Sequence, residues 1–144
     1  MNYDKINGYL VDIFNNVVII EEASLKNSKF NDVSLKEMHT IDVIGTHPDT
    51  TPSAVAIELM LTLGTVTTSL NKLEKKGYII RTRSSVDRRV VHLSLSKKGR
   101  LVYRLHRGFH KSMVMRITEG FNDEELKVMS KGLENLHAFL EELK

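Results

Sequence analysis

Apolar residues recur every three or four positions at both ends of the chain. They are Ile6, Leu10, Ile13, Val17 and Ile20 near the N-terminus, and Leu126, Met129, Leu133, Leu136, Leu140 and Leu143 near the C-terminus. This spacing places a narrow apolar stripe on one face of a helix, as in helices that pack side by side. The pattern predicts two terminal helices that pair, either across a homodimer interface or as a bundle within one chain.

The middle of the chain shows the signals of three short helices. Ser34 to Ile44 has a helical apolar period and is followed by a turn. A second helix starts at Thr51 and Pro52, since threonine caps a helix and proline is tolerated at its first position. A third starts at Thr62 and ends at Gly77, after a cationic last turn. The second and third helices, joined by a tight turn, predict a helix-turn-helix.

The third of these helices has two different faces. At about 100° per residue, its apolar residues Val66, Leu70 and Leu73 share one side. The opposite side carries small, hydroxyl, amide and basic residues, namely Gly64, Thr65, Thr68, Asn71, Lys72 and Lys75. Threonine and asparagine can contact base edges in the major groove, and lysine can contact phosphate. We therefore predict that this helix binds DNA, with Thr62 and Thr67 as further contacts.

Two alternating β-branched segments follow, Ile79 to Ser84 and Val90 to Leu95, which predict a hairpin. Its tip carries Arg88 and Arg89, and exposed arginines at such a tip suit the minor groove. The candidate DNA contacts of the hairpin are Arg81, Asp87, Arg88 and Arg89. The predicted fold is mainly α with a small β-hairpin wing, that is, a winged helix-turn-helix, with a dimer formed by the N- and C-terminal helices.

Positive charge is concentrated in one part of the chain. The stretch from Thr62 to Lys111 contains 13 of the 21 lysine and arginine residues but only two acidic ones, Glu74 and Asp87, and so carries +11. The rest carries −8, which leaves a net charge of +3. A cationic surface attracts a polyanion, because neutralised phosphates release counterions. A solvated basic helix would have similar charge, but the polar helix face and the arginine tip favour DNA.

Composition narrows the class of protein further. The 144 residues include no cysteine, so disulfides, thiolate metal sites and thiol nucleophiles are excluded. No apolar run reaches the roughly 18 residues of a membrane span, and no signal peptide precedes the first helix, so we predict a cytoplasmic protein without a membrane partner. No Ser–His elbow, glycine-rich phosphate loop or paired carboxylates are present, and we predict that the chain is not an enzyme.

The combination of helix-turn-helix, the wing motif Asp87-Arg88-Arg89 and the segment Leu95-Ser96-Lys97-Lys98-Gly99 resembles the MarR family of dimeric transcription regulators. The resemblance implies that Arg89 inserts beside the duplex, oriented by Asp87, and that a pseudo-palindromic operator is bound. It also implies a ligand pocket between the dimer helices and the DNA-binding lobe. We expect one domain over residues 1–144, with dimerisation helices in 1–30 and 118–144, a DNA-binding lobe in 34–95 and a connecting helix in 96–117.

The segments Lys36 to Gly45 and Leu63 to Leu70 resemble the branch of that family that represses fatty-acid-synthesis genes in Gram-positive bacteria. This resemblance implies an acyl chain on acyl carrier protein as corepressor. Arg104, Arg107 and Lys111 recur every three or four residues, a stripe that suits an acidic protein partner such as acyl carrier protein. A solvated face or a role at the DNA backbone would explain the same stripe.

The histidines raise a second possibility. His106 and His110 are four residues apart on one predicted helix, a usable metal-ligand spacing. Resemblance to the zinc-responsive branch of the MarR family implies a zinc ligand set at the matching positions, Glu21, His39, His106 and His110. The alternative is that His39 and His106 are buried and hydrogen-bonded. We also predict that a group at His106 couples ligand state to DNA affinity; the candidate ligand and coupling residues are His39, His106, His110, Arg104, Arg107 and Lys111.

Overall fold

The computed structural model describes residues 2–144, in which six helices and one two-stranded sheet are present. Their order is α1 (Tyr3–Lys26), α2 (Leu35–Thr46), α3 (Pro52–Leu59), α4 (Leu63–Lys75), β1 (Ile79–Arg83), β2 (Val91–Leu95), α5 (Lys97–Ile117) and α6 (Asp123–Glu142). The predicted mainly helical winged helix-turn-helix is confirmed. Both strands are one residue shorter at the hairpin tip than the sequence pattern predicts.

The helix starts follow from capping side chains. Thr51 Oγ1 accepts a hydrogen bond from the Ala54 N–H at 3.2 Å, and Thr62 Oγ1 accepts one from the Thr65 N–H at the same distance. Each cap satisfies a backbone donor that the first turn of a helix leaves unpaired. Between α3 and α4 the chain bends by 114°, with Met60 in the left-handed region at a φ of 54°. The bend leaves the start of α4 open to solvent.

The core lies where α2, α3, α4 and the hairpin meet. Its fully buried side chains are Tyr78, Ile41, Leu70, Leu73, Leu93, Val55, Val66 and Val102. The strands pair antiparallel, with Ile79 opposite Leu95 and Arg83 opposite Val91. Leu93 and Leu95 point inward while Ser94 is exposed, so the predicted alternation along β2 is present. The core therefore fixes both α4 and the hairpin on one scaffold.

The chain divides into two compact units, the first ending at Arg107 and the second spanning Gly108–Lys144. In the first unit, the α1 stripe residues Ile6, Leu10 and Ile13 are exposed. In the second, α6 begins with the capping box of Asn122 and Glu125, and its stripe is largely exposed, at Leu133, Leu136, Leu140 and Leu143. Each unit thus has an apolar helix face open to solvent. The predicted domain boundaries stay predictions.

The buried side of α5 within the first unit carries Gly99, Val102 and His106, while Leu101 and Leu105 are exposed. The helix thus packs against the core through Gly99, Val102 and His106 rather than through its leucines. Across residues 2–144, no single helix has the length and apolar character to cross a membrane, although α3 and α4 pass that test together as a bent pair.

Candidate nucleic-acid interface and effector site

The polar face of α4 is open to solvent. Val66, Leu70 and Leu73 are buried, and every predicted DNA contact on the helix is exposed, that is, Thr62, Gly64, Thr65, Thr67, Thr68, Asn71, Lys72 and Lys75. The division into faces that the sequence predicts is therefore present. With hydroxyls near its start and lysines near its end, this surface can meet base edges and phosphates together.

The tip of the hairpin is organised by an ion pair. Asp87 Oδ1 accepts hydrogen bonds from the Arg89 backbone N–H at 3.0 Å and from its Nε at 3.1 Å, and Oδ2 accepts from Nη2 at 3.1 Å. The hydrogen bonds from Arg89 hold the pKa of Asp87 below its ordinary value. Although the Arg89 side chain is 90% exposed, these hydrogen bonds orient its guanidinium along Asp87. Arg83 supports the tip by donating from Nη1 to the Arg88 carbonyl oxygen at 2.9 Å.

Arg81 differs from the arginines at the tip because it contacts α4. Its Nη2 donates to Asn71 Oδ1 at 2.8 Å, and its Nε lies 3.9 Å from Glu74 Oε2. The side chain is 27% exposed. Arg81 therefore joins the first strand of the wing to the polar face of α4.

A carboxylate and two imidazoles meet in the first unit. The buried Glu21 has Oε1 3.6 Å from His106 Nδ1 and Oε2 3.9 Å from His39 Nε2. On the other side of the ring, His106 Nε2 lies 4.0 Å from Asp42 Oδ1. The alternative to metal binding, two buried histidines, holds for the burial of His106 and is wrong for His39, whose side chain is 46% exposed on α2. These imidazole nitrogens and carboxylate oxygens are donor types that suit zinc.

A cavity of about 420 Å³ lies between the end of α2, β2 and the first turns of α5. Its wall combines apolar groups with the arginines Arg100 and Arg104 and with Asp49. The apolar and aromatic lining includes Ile44, Leu93, Leu95 and Tyr103. The Tyr103 ring covers Gly45 so closely that a Cβ there would lie 2.5 Å from Cδ2. The outer face of the same ring carries Arg107, 5.2 Å from its centroid. The cavity can accept an apolar chain that ends in an anionic group.

Comparison with known proteins identifies the family. The model of the MarR family matches residues 33–91. Streptococcus pneumoniae FabT, solved in complex with DNA, is 65% identical, with 99% of this chain and 100% of that chain covered and a TM-score of 0.90.

The chain belongs to the MarR family.

One further relative agrees with this assignment, and one further solved structure shares the fold. PchR, an HTH-type transcriptional regulator of Bacillus subtilis (strain 168), is 27% identical over 144 residues, which cover 98% of this chain and 82% of PchR. S. aureus MepR, solved in complex with DNA, is 20% identical, with 97% and 99% coverage and a TM-score of 0.73, a likeness of fold alone.

This MarR-family chain is thus a transcription regulator, and its winged helix-turn-helix is a DNA-binding fold. The family predicted from the wing motif is confirmed, and the close similarity to FabT agrees with the predicted branch. A family of transcription regulators also agrees with the expectation that the chain is not an enzyme.

Several residues of these sites have no distinguishing signal in the sequence. Asp42 has the pattern of an ordinary helix surface, and Gly45, Arg100 and Tyr103 show nothing that separates cavity residues from other helix positions. The hydrogen bond between Arg81 and Asn71 joins residues ten positions apart on different elements. Such contacts depend on how the strand packs on the helix, and no local spacing predicts them.

Proposed function

We propose that this MarR-family chain represses fatty-acid-synthesis genes and takes a long acyl chain on acyl carrier protein as its corepressor. It acts in the cytoplasm as a homodimer on a pseudo-palindromic DNA operator. The observation that carries the proposal is the 65% identity to FabT over 99% of the chain. FabT was solved in complex with DNA, and the surfaces described above are suited to the same partner.

The DNA-binding residues are proposed on the basis of exposure and charge. The polar face of α4 enters the major groove, and the wing arginines Arg88 and Arg89 reach the adjacent minor groove. Asp87 holds the Arg89 guanidinium through two side-chain hydrogen bonds. Less conformational freedom is therefore given up when the arginine meets the duplex.

The homodimer is proposed from the exposed apolar faces of α1 and α6. Phe14 on α1 is 71% exposed, and Leu140 on α6 is half exposed. Contiguous apolar faces of this kind on a folded protein mark an interaction surface. A twofold dimer would present two copies of α4 to two half-sites one helical turn apart.

Replacing Arg88 and Arg89 together with alanine is expected to weaken operator binding by roughly 10-fold or more, because charge-assisted hydrogen bonds are worth about 1.5–3 kcal/mol each. The dependence of affinity on salt should also become shallower, by roughly one unit of slope for each phosphate that the wing no longer neutralises. Fluorescence anisotropy titrations at several salt concentrations measure both effects.

The matched control is the double replacement of Lys127 and Lys131 with alanine, which removes the same charge from exposed positions of α6. It should leave the affinity and the salt slope close to those of the unaltered protein. Equal effects of the two double variants would contradict a specific role for the wing.

The cavity beside α5 supports an acyl effector. Ile44, Leu93 and Leu95 form apolar wall, while Arg100 and Arg104 supply positive charge at the same cavity. An acyl chain would lie against the apolar side, and the acidic carrier protein would meet the exposed Arg104, Arg107 and Lys111. Because α5 follows directly from β2 of the wing, occupancy of this cavity can bias the position of the wing.

The test is a titration of a fatty-acid-synthesis promoter duplex with and without acyl carrier protein, in its palmitoylated and unacylated forms. We expect the palmitoylated form to raise DNA affinity and the unacylated form to have little effect. Arg104→Glu should lose most of this response while keeping its basal DNA affinity. Arg116→Glu, an equal charge change at an exposed position of the same helix, should keep the response. An affinity that neither carrier form changes would contradict the proposed corepressor.

A zinc-responsive regulator is the second candidate, supported by the short distances from Glu21 to His106 and His39. His110, the fourth proposed ligand, lies one turn beyond His106 on α5. Zinc would draw the imidazole nitrogens and the carboxylate together and so fix α1, α2 and α5. The same titrations with a chelator separate the two candidates. Zinc is favoured if the chelator removes DNA binding, if added zinc restores it, and if His106→Ala abolishes the response to zinc.

A further inference from the structure

The hydrogen bond between Arg81 and Asn71 constrains how α4 presents its only amide side chain. Arg81 lies on β1, and its guanidinium reaches across to α4, where Nη2 donates to Asn71 Oδ1 at 2.8 Å. One turn further along α4, Glu74 lies 3.9 Å from Nε of the same guanidinium. The Arg81 side chain is thus held by two residues of the helix that it faces.

The chemistry of arginine decides which way the Asn71 amide points. A guanidinium has five N–H donors and no acceptor, so only the amide oxygen of Asn71 can face it. A flipped amide would direct its NH₂ group at another donor and break the hydrogen bond. With Oδ1 turned toward Arg81, the Nδ2 amino group of Asn71 is turned away from it, and Asn71 is exposed on the polar face of α4.

This orientation matters for base recognition. Asparagine recognises adenine by a bidentate contact, in which its oxygen accepts from N6 and its amino group donates to N7. The amide oxygen has two lone pairs, so one can accept from adenine N6 while the other accepts from Arg81. The outward amino group donates to an acceptor in the major groove, namely guanine O6 or N7, adenine N7 or thymine O4, whereas cytosine presents only its N4 amino donor there.

We propose that Arg81 is a positioning residue that sets the specificity of Asn71, so that position 71 selects a base with an acceptor in the major groove and rejects cytosine. The inference rests on the proposed DNA-binding face and deepens it by naming the base class read there. Arg81 then acts through Asn71 rather than as another phosphate contact.

Selection from a pool of randomised duplexes, followed by sequencing, tests this inference. The unaltered protein should disfavour cytosine at one position of each half-site. Arg81→Ala should free the amide to turn its oxygen toward the cytosine N4 amino group and raise the share of cytosine at that position by about 10-fold, within the discrimination that a good base contact supplies. Asn71→Asp keeps an oxygen toward Arg81 but presents a second oxygen outward, so it should shift the preference to bases with a donor amino group.

Arg83→Ala is the matched control, because Arg83 lies on the same strand, carries the same charge and donates to the Arg88 carbonyl oxygen instead. It should lower affinity for all duplexes without changing the base preference. In an Asn71→Ala background, Arg81→Ala should no longer alter the base preference. In the otherwise unaltered protein, Arg81→Lys should keep much of the base preference that Arg81→Ala loses. Thermal unfolding checks that each variant is folded.

The outcomes separate this inference from the proposed function. If Arg81→Ala changes affinity uniformly, as Arg83→Ala does, Arg81 is a phosphate contact and the positioning role is overturned while operator binding stands. If the unaltered protein enriches no sequence at all, the proposed operator recognition fails, and the inference that depends on it fails too.

Discussion

Replacing Gly99 with alanine is expected to lower the free energy of unfolding by about 3 kcal/mol, the upper range for forcing an extra methyl group into packed structure. A Cβ at Gly99 would lie 2.1 Å from the Tyr78 carbonyl oxygen. Neither group can move easily, since Tyr78 is fully buried and its carbonyl accepts a hydrogen bond from the Ser96 N–H at 3.0 Å. Urea denaturation followed by circular dichroism measures the decrease.

Gly108→Ala is the matched control, because Gly108 lies on the same helix and a Cβ there would meet nothing within 4 Å. Alanine should stabilise that position by roughly 0.5–1 kcal/mol, since glycine is the poorer helix former. If the two variants have similar stabilities, the close approach of α5 to Tyr78 is wrong. The Gly99 variant should also bind DNA less well, because the start of α5 supports the wing.

Replacing Leu136 and Leu140 with lysine is expected to convert a homodimer into a monomer and to lower operator affinity at least 100-fold. Two charges on the apolar stripe of α6 would have to be desolvated in the dimer interface. A monomer would also bind only one half-site. In a dimer, binding of one recognition helix raises the effective concentration of the second helix at the other half-site. Light scattering and operator titration measure the two effects.

Lysines at Asn135 and Ala138 provide the control, since these residues of the same helix lie off the leucine stripe. That variant should stay dimeric and keep its operator affinity. A dimer that survives lysine at Leu136 and Leu140 would contradict the proposed interface. A well-folded monomer of the unaltered protein would instead favour a bundle within one chain.

The outward face of α4 shows which structural features a local sequence pattern can predict. The spacing of Val66, Leu70 and Leu73 predicts the buried side, and burial leaves the residues between them exposed. The caps at Thr51 and Thr62 depend on side chains three residues from the backbone groups they satisfy. Arg89 likewise pairs with a residue two positions away. All these features are local. The sequence pattern predicts the buried side and the caps, and the family resemblance implies the pairing of Arg89 with Asp87.

His39 and Leu101 show where the same kind of pattern fails. The sequence allows a buried His39, yet the interior position next to Glu21 is taken by His106 from α5. Leu101 and Leu105 are four residues apart and by helical period would share an apolar face, but both are exposed. Gly99 is buried instead, at a point where the Tyr78 backbone approaches too closely for a larger residue. The side-chain size that fits at a contact depends on the element packed against it. The periodicity of a single helix carries no information about that element.

The sequence by itself determined the helices, the wing, the charge distribution and the polar face of α4, because capping, periodicity and charge act between residues a few positions apart. Only the tertiary structure decided that Arg81 orients Asn71, that Glu21 lies between His106 and His39, and that Arg100 and Tyr103 line a cavity. Those arrangements join residues from different elements, and close packing of the core selects them.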